Sequence, residues 1–283
     1  MRPLAQRPGP GDRPTISAFE TPNSLDRVLV LKRDHPEAVA WGGGTDLMLA
    51  VNARRLRPEL GVGLRRVAEL RTSERHRIGS GVTLSDLVTS PHRALAQAAR
   101  TVGSPQIRHA ATLGGNLGTA SPAGDTLPVL AAYGAQVVVR SHAGRRTLRW
   151  DEFLLGPRLT ALRSDEVIES VLVPEDVPRR QAFGKVGARN AMAISRVSVC
   201  VTRSEDGTTR VALGAVGPVP LRADAAEALA STERRPTAAT LAEFARLVSL
   251  AVRPITDHRA TEEYRRHAAG VLAKRQLMRC CED

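Results

Sequence analysis

Two glycine-rich clusters hold the residues best suited to chemistry in this 283-residue chain. The first is Trp41-Gly42-Gly43-Gly44-Thr45-Asp46-Leu47, which follows the apolar run Ala38 to Trp41. Consecutive glycines turn tightly and can aim several N–H groups at one point with no Cβ in the way. A helix from Asp46 to Ala53 would add the positive end of its dipole, and the pair suits an anion such as pyrophosphate. The cluster is not a Walker A loop, because it lacks Gly-Lys-Ser/Thr, and Leu47 breaks the G-x-G-x-x-G pattern. The second cluster runs Ala111-Thr112-Leu113-Gly114-Gly115-Asn116-Leu117 and continues through Ala120-Ser121-Pro122-Ala123-Gly124-Asp125. Thr112 offers a hydroxyl, Gly114 and Gly115 admit close backbone approach, and Asn116 both donates and accepts. Asp125 opens the next helix, where its carboxylate can cap that helix or accept from sugar-type hydroxyls. Together the clusters suit a long ligand with phosphates in its middle, such as a dinucleotide.

Other chemistries find little support. The three cysteines, Cys200, Cys280 and Cys281, form no C-x-x-C and suggest neither a metal framework nor a disulfide scaffold. Seven scattered histidines give no Ser-His-Asp or Cys-His arrangement. The net charge, 41 − 29 = +12, raises nucleic acid as a partner, but aromatic residues are only 3% and leave no stacking platform. Only Lys32, Lys185 and Lys274 are lysines, so the excess is arginine and reads as a solvated surface, with no nucleic-acid partner expected. No apolar run approaches the roughly 18 residues of a membrane span, and the cytoplasm is the expected compartment. Residues 1–15, rich in Pro, Gly and Arg, read as a flexible arm.

The elements that must position these clusters follow from periodicity. Thr83 can cap a helix beginning at Leu84, a second helix covers Ala94 to Val102, and Thr112 to Asp125 reads as a loop. A short helix and the strand Gln136 to Arg140 follow. Val167 to Val173 reads as a strand closed by Pro174. The polar, proline-bounded segment Glu175 to Arg180 is the expected domain boundary. Beyond it, Phe183 to Val186, Ser195 to Thr202 and Thr209 to Val216 read as strands of a sheet with one solvent face. Helices near Ala223 to Ser231, Thr237 to Val252 and Thr261 to Met278 would cover it. The class is α+β.

Five motifs occur in order: Gly43-Gly44-Thr45-Asp46-Leu47, Ala111 to Asn116, Ser121 to Asp125, Phe183-Gly184-Lys185-Val186-Gly187, and Asp257-His258-Arg259-Ala260-Thr261-Glu262-Glu263-Tyr264-Arg265-Arg266. From about Pro22 to Met278 the chain resembles the FAD-binding medium subunit of molybdenum hydroxylases, the group containing xanthine dehydrogenase and aerobic carbon monoxide dehydrogenase. The resemblance implies an FAD domain of the PCMH (vanillyl-alcohol-oxidase) type over residues 16–178, with subdomains 16–77 and 78–178. A C-terminal α+β domain of the carbon monoxide dehydrogenase flavoprotein type would occupy 179–283.

Carried over by position, Trp41, Gly42, Gly43, Gly44, Thr45, Asp46 and Leu47 would hold the pyrophosphate. Thr112, Gly114, Gly115 and Asn116 would wrap the cofactor from the other subdomain. Asp125 would bind a hydroxyl of FAD, Ile168 would pack against it, and Val102, Gly103 and Lys185 would lie beside it. Ala188, Ala193 and Ser195 depart from the family's usual arginine, aspartate and alanine. The implied role is an oxidoreductase subunit that takes electrons from iron–sulfur centres and passes them to NAD, a quinone or oxygen. Its partners would be a small 2Fe–2S subunit and a large molybdopterin subunit. A stand-alone FAD-dependent oxidoreductase acting on a small organic substrate, and a non-enzymatic scaffold retaining the fold, are the competing readings.

Overall fold

The computed structural model describes residues 16–282, so the expected arm at 1–15 lies outside the described residues. Within them, short strands alternate first with helices. The run begins β1 (Ala18–Glu20), α1 (Leu25–Asp34), β2 (Val39–Trp41), α2 (Leu47–Asn52) and β3 (Leu60–Gly63). The three strands are parallel in the order β1–β3–β2, with Trp41 level with Gly63. Ser24 caps α1 by accepting from the Arg27 N–H. Val28, Leu29, Val62, Val67 and Leu70 form the small core beneath this sheet.

A larger helical layer follows. It comprises β4 (Arg77–Gly79), α3 (Leu84–Leu87), α4 (Arg93–Thr101), α5 (Pro105–Ala110), α6 (Leu113–Thr119) and α7 (Thr126–Tyr133). Then come β5 (Gln136–Ser141), β6 (Gly144–Arg149), α8 (Trp150–Phe153), β7 (Leu154–Gly156), β8 (Leu159–Thr160) and β9 (Val167–Leu172). The strands β4–β9–β5–β6 form an antiparallel sheet. Thr83 caps α3 in a capping box with Asp86, as its position predicts. The loop expected from Thr112 to Asp125 is corrected, because its first half is the helix α6. Glycine disfavours a helix, but Thr112 caps this one by accepting from the Gly115 N–H at 3.0 Å, and tertiary packing outweighs propensity.

The last third is β10 (Arg180–Val186), β11 (Val197–Arg203), β12 (Thr209–Gly214), β13 (Leu221–Arg222), α9 (Asp224–Ser231), α10 (Ala238–Ala251) and α11 (Glu262–Glu282). The strands form one antiparallel sheet in sequence order. The expected solvent face does not exist. Every residue of β11 is buried, because Phe183, Cys200 and Ala212 pack into the core of the helical layer while Val199, Val201 and Leu213 face α9–α11. Apolar packing therefore continues across the segment Glu175 to Arg180.

Polar groups pin that seam. Tyr133 donates to Gln181 Oε1 at 2.6 Å, which also accepts from the Ala94 N–H, and the Phe183 N–H donates to Gln97 Oε1 at 2.7 Å. The motif from Asp257 to Arg266 proves structural. The buried Arg265 guanidinium donates to the carbonyls of Arg196 and Ala215 and to Asp257 Oδ1, while Arg266 donates to the Ser249 and Val252 carbonyls at the end of α10. Partial desolvation pushes the Asp257 carboxyl up, but the N–H groups of Arg259 and Ala260 and the Arg265 guanidinium outweigh it and lower its pKa from 3.8 to about 2.

Because the folded-state pKa is depressed, Asp257 stabilises the fold above its unfolded value, and that contribution is lost as pH falls from near 4 toward 2. Denaturant melts should therefore show about 1–2 kcal/mol of stability disappearing over that window, and Asp257→Asn should flatten it. An unchanged pH profile in the variant would remove the assignment.

Candidate functional site

A cleft of 1190 Å³ runs between the parallel sheet and the helical layer. Gly42, Gly43, Gly44, Thr45, Asp46 and Leu47 line one side, and Thr112, Gly114, Gly115 and Asn116 line the other. Their meeting is dictated by the glycines. A Cβ on Gly43 would stand 1.8 Å from the Ala110 carbonyl oxygen, so the two segments touch backbone to backbone. Gly44 takes φ +71° to wrap the turn around the Trp41 indole, which the Phe19 ring meets edge-on at 5.6 Å.

The two walls do different work. Gly43, Gly44 and Thr45 donate no backbone N–H to any acceptor among the described residues, so these groups remain for an anion at the turn. The first turn of α6 has no such surplus. Leu113 donates to the Val82 carbonyl, Gly114 to the Ser80 carbonyl, Gly115 to the Thr112 hydroxyl and Asn116 to the Thr112 carbonyl. Its glycines instead present a surface without side chains. A Cβ on Gly115 would meet only Thr112 Oγ1, at 3.1 Å, and one on Gly118 only Ile168 Cδ1, at 3.7 Å. Both α2 and α6 are short, so an anion at the turn would be met mainly by its unpaired N–H groups, with little added by the helix dipoles.

Ile168, Val102 and Gly103 also line the cleft. Trp41, Asp125 and Lys185 do not. Trp41 is a buried support for the turn. The Asp125 side chain makes no helix cap; it accepts from Lys185 Nζ at 2.7 Å, Thr101 Oγ1 at 3.2 Å and Ser195 Oγ at 2.5 Å. Lys185 Nζ further donates to the carbonyls of Thr101 and Ala193, both at 2.9 Å. All three ammonium protons and both carboxylate oxygens are thereby engaged within the chain. Beside the cofactor contacts expected of Asp125 and Lys185, this network ties Lys185 to the Ala193 carbonyl, next to Ile194 on the wall of the cleft. The departures Ala193 and Ser195 belong to it.

Several lining residues escaped the sequence reading, among them Lys32, Ser80, Arg65, Arg158 and Arg163. They come from separate elements and share no spacing, so only the fold gathers them. Ser80 Oγ is buried without a hydrogen-bond partner beside α6. An elongated cleft with unpaired donors, a wall free of side chains, an orphaned hydroxyl and several cationic residues fits a dinucleotide carrying a pyrophosphate.

The fold and site together define a two-walled dinucleotide-binding flavoprotein domain followed by an α+β domain. Residues 15–176 match the family described as "FAD binding domain in molybdopterin dehydrogenase", and residues 182–280 match "CO dehydrogenase flavoprotein C-terminal domain". The chain is 30% identical over 273 residues to the nicotine 6-hydroxylase medium subunit of Paenarthrobacter nicotinovorans, covering 92% of this chain and 95% of that protein. Quinoline 2-oxidoreductase from Pseudomonas putida 86 has the same fold, with a TM-score of 0.87, 25% identity and coverage of 95% and 98% of the two chains. Carbon monoxide dehydrogenase from Hydrogenophaga pseudoflava superimposes with a TM-score of 0.85 at 28% identity, covering 94% and 98%. The chain belongs to the FAD-binding subunits of molybdenum hydroxylase-type dehydrogenases, and its cofactor is FAD.

The two walls predict opposite variants. Gly43→Ala should destabilise the apoprotein, because its Cβ collides with backbone that cannot move aside. Gly115→Val should leave the apoprotein melting within a few degrees of wild type while weakening FAD binding by about a hundredfold or more, a cost of about 3 kcal/mol. Thermal melts and FAD titrations of both variants separate the two roles, and tight FAD binding by Gly115→Val would remove α6 from the site.

Proposed function

We propose that this chain is the electron-transfer flavoprotein of a multi-subunit dehydrogenase. It takes electrons from iron–sulfur centres on a small 2Fe–2S partner and delivers them to NAD, a quinone or oxygen. Substrate oxidation belongs to a large molybdopterin partner. The observation that carries this reading is the cleft itself, with the unpaired N–H groups of Gly43, Gly44 and Thr45 facing the smooth first turns of α6.

Bound FAD supplies the redox chemistry, accepting and releasing electrons. The chain's own residues bind and orient. Gly42 to Leu47 hold the pyrophosphate, with the N–H groups of Gly43, Gly44 and Thr45 as donors. Thr112, Gly114, Gly115 and Asn116 let the dinucleotide lie close to α6, and Ile168, Val102 and Gly103 give it apolar contact. Asp125, Lys185 and Ser195 act at one remove, holding the segment that carries Ile194.

Two features favour a subunit over a stand-alone enzyme. The acidic and histidine side chains lining the cleft are Asp46, Asp86, His109 and Glu166; Asp86 is taken up by its capping box with Thr83 and Glu166 by its ion pair with Arg146, which leaves no evident acid–base pair to prepare an organic donor. Leu49, Ile107 and Ile194 are exposed while also lining the cleft, which leaves an apolar rim for a protein partner. No helix among the described residues is long and apolar enough to cross a membrane.

The purified chain should carry one non-covalently bound FAD, released on denaturation. Under anaerobic conditions dithionite should bleach it, while purines, aldehydes, N-heteroaromatic compounds and carbon monoxide should not. Rapid bleaching by one of these substrates without any partner would overturn the subunit reading in favour of a stand-alone oxidoreductase.

A further inference from the structure

We infer that Lys32 is a specificity residue for the cofactor, its ammonium donating a hydrogen bond to the adenine ring of FAD. The inference rests on the reading of the cleft as the FAD site. Lys32 lies in the last turn of α1 and is only 5% exposed, an uncommon place for a lysine. Its Nζ donates to the Ala38 carbonyl at 2.5 Å and the Pro36 carbonyl at 3.2 Å. Those bonds use two of its three protons and fix the group in place. No carboxylate of the described residues lies within ion-pair distance of it. Burial lowers the ammonium's pKa and outweighs the opposing pull of the Glu37 and Asp165 carboxylates, neither of which is within ion-pair distance.

A tethered, buried donor with a proton to spare is costly unless an acceptor meets it. Lys32 lines the cleft together with Pro36, Val39 and Ala40, so the cleft is where that acceptor would come from. Its position along β2 indicates which part of the cofactor it reaches. Ala38 precedes Gly42 by four residues, or about 13 Å of extended strand. That separation from the phosphate-binding turn corresponds to the span of a nucleoside. Pro36, Val39 and Ala40 carry no charge and suit a flat base, whose ring nitrogens are acceptors. The flavin is assigned to the other end, because redox partners must reach it and the exposed Ile107 and Ile194 mark the open side.

The test titrates full-length apoprotein with FAD, ADP and FMN. Lys32→Met should raise the dissociation constants for FAD and ADP by a common factor of about ten or more, and leave that for FMN unchanged. Unaltered FAD and ADP binding, or an equal loss for FMN, would overturn the assignment while leaving the FAD site intact. A wild-type chain that binds no FAD would overturn both. If Lys32→Met does not fold, wild-type apoprotein labelled with ¹⁵N at its three lysines decides. The Lys32 ammonium signal should shift with ADP and not with FMN, and an ammonium indifferent to ADP would refute the role.

Discussion

The cleft exists because Gly43 meets the Ala110 carbonyl without a side chain between them. That backbone contact is one point where the parallel sheet meets the helical layer; the close approach of Gly42 to Thr112 and the packing of Val167 into the core beneath the sheet are others. Everything else at the site is arranged around these contacts. The turn that Gly43 begins leaves its N–H groups unpaired, whereas the facing helix satisfies its own through Thr112, Val82 and Ser80. A site built this way separates charge recognition from close packing. On the proposed reading the turn would meet the phosphates, and α6 would meet the rest of the ligand through glycine surface. Since these donors are backbone groups, they would meet an anion without a charged side chain at the turn itself, and the arginines of the lining would add to them.

The C-terminal domain completes the site without lining much of it. Its sheet lies between α4 and α7 on one face and α11 on the other, which is why β11 is buried throughout. The Asp125–Lys185 pair crosses that junction. Its two charges are desolvated together and fully hydrogen-bonded, the condition under which a buried ion pair holds geometry even where it adds little net stability. Loss of either partner would leave the other buried and unmatched. The pair thus ties the position of Ile194 to the packing of the two domains, so that movement of the C-terminal sheet would be felt at the mouth of the cleft.

The order of elements, the glycine turn at 42–44, the cap at Thr83 and the family motifs were legible in the sequence because each depends on neighbours within a few residues. What was not legible depends on distant partners. Thr112 to Thr119 looks like a loop by propensity and is a helix because a hydroxyl cap and the Ser80 and Val82 carbonyls hold its first turn. The sheet after Arg180 alternates as though one face were wet, yet the long apolar run of α7 is what covers it. Asp125 and Lys185 were identifiable as a motif pair but not as partners of each other. Ser195, read as a departure from the family pattern, is the residue that occupies the second oxygen of Asp125. Lys32 carries no motif, and nothing short of the fold places it at the cleft.

The arginine excess has a structural explanation of the same kind. Arg203 is almost wholly buried and has no carboxylate in contact among the described residues; its guanidinium donates to the carbonyls of Gly207, Ala230 and Glu233 and to Thr209. Ala230 lies in the last turn of α9, where carbonyls lack helical partners and a cation is favoured. Arg266 serves the end of α10 in the same way, and Arg108 gathers the carbonyls of Val102 and Gly103, two residues of the cleft wall. A planar group with five donors can collect several such carbonyls at once, which a lysine in the same place could not do with the same geometry. Of the positive groups behind the net charge of +12, Arg203 at least is withdrawn from the surface. Several of these guanidinium groups are committed to backbone oxygen, and one of them, Arg108, holds the Val102 and Gly103 carbonyls on the wall of the cleft.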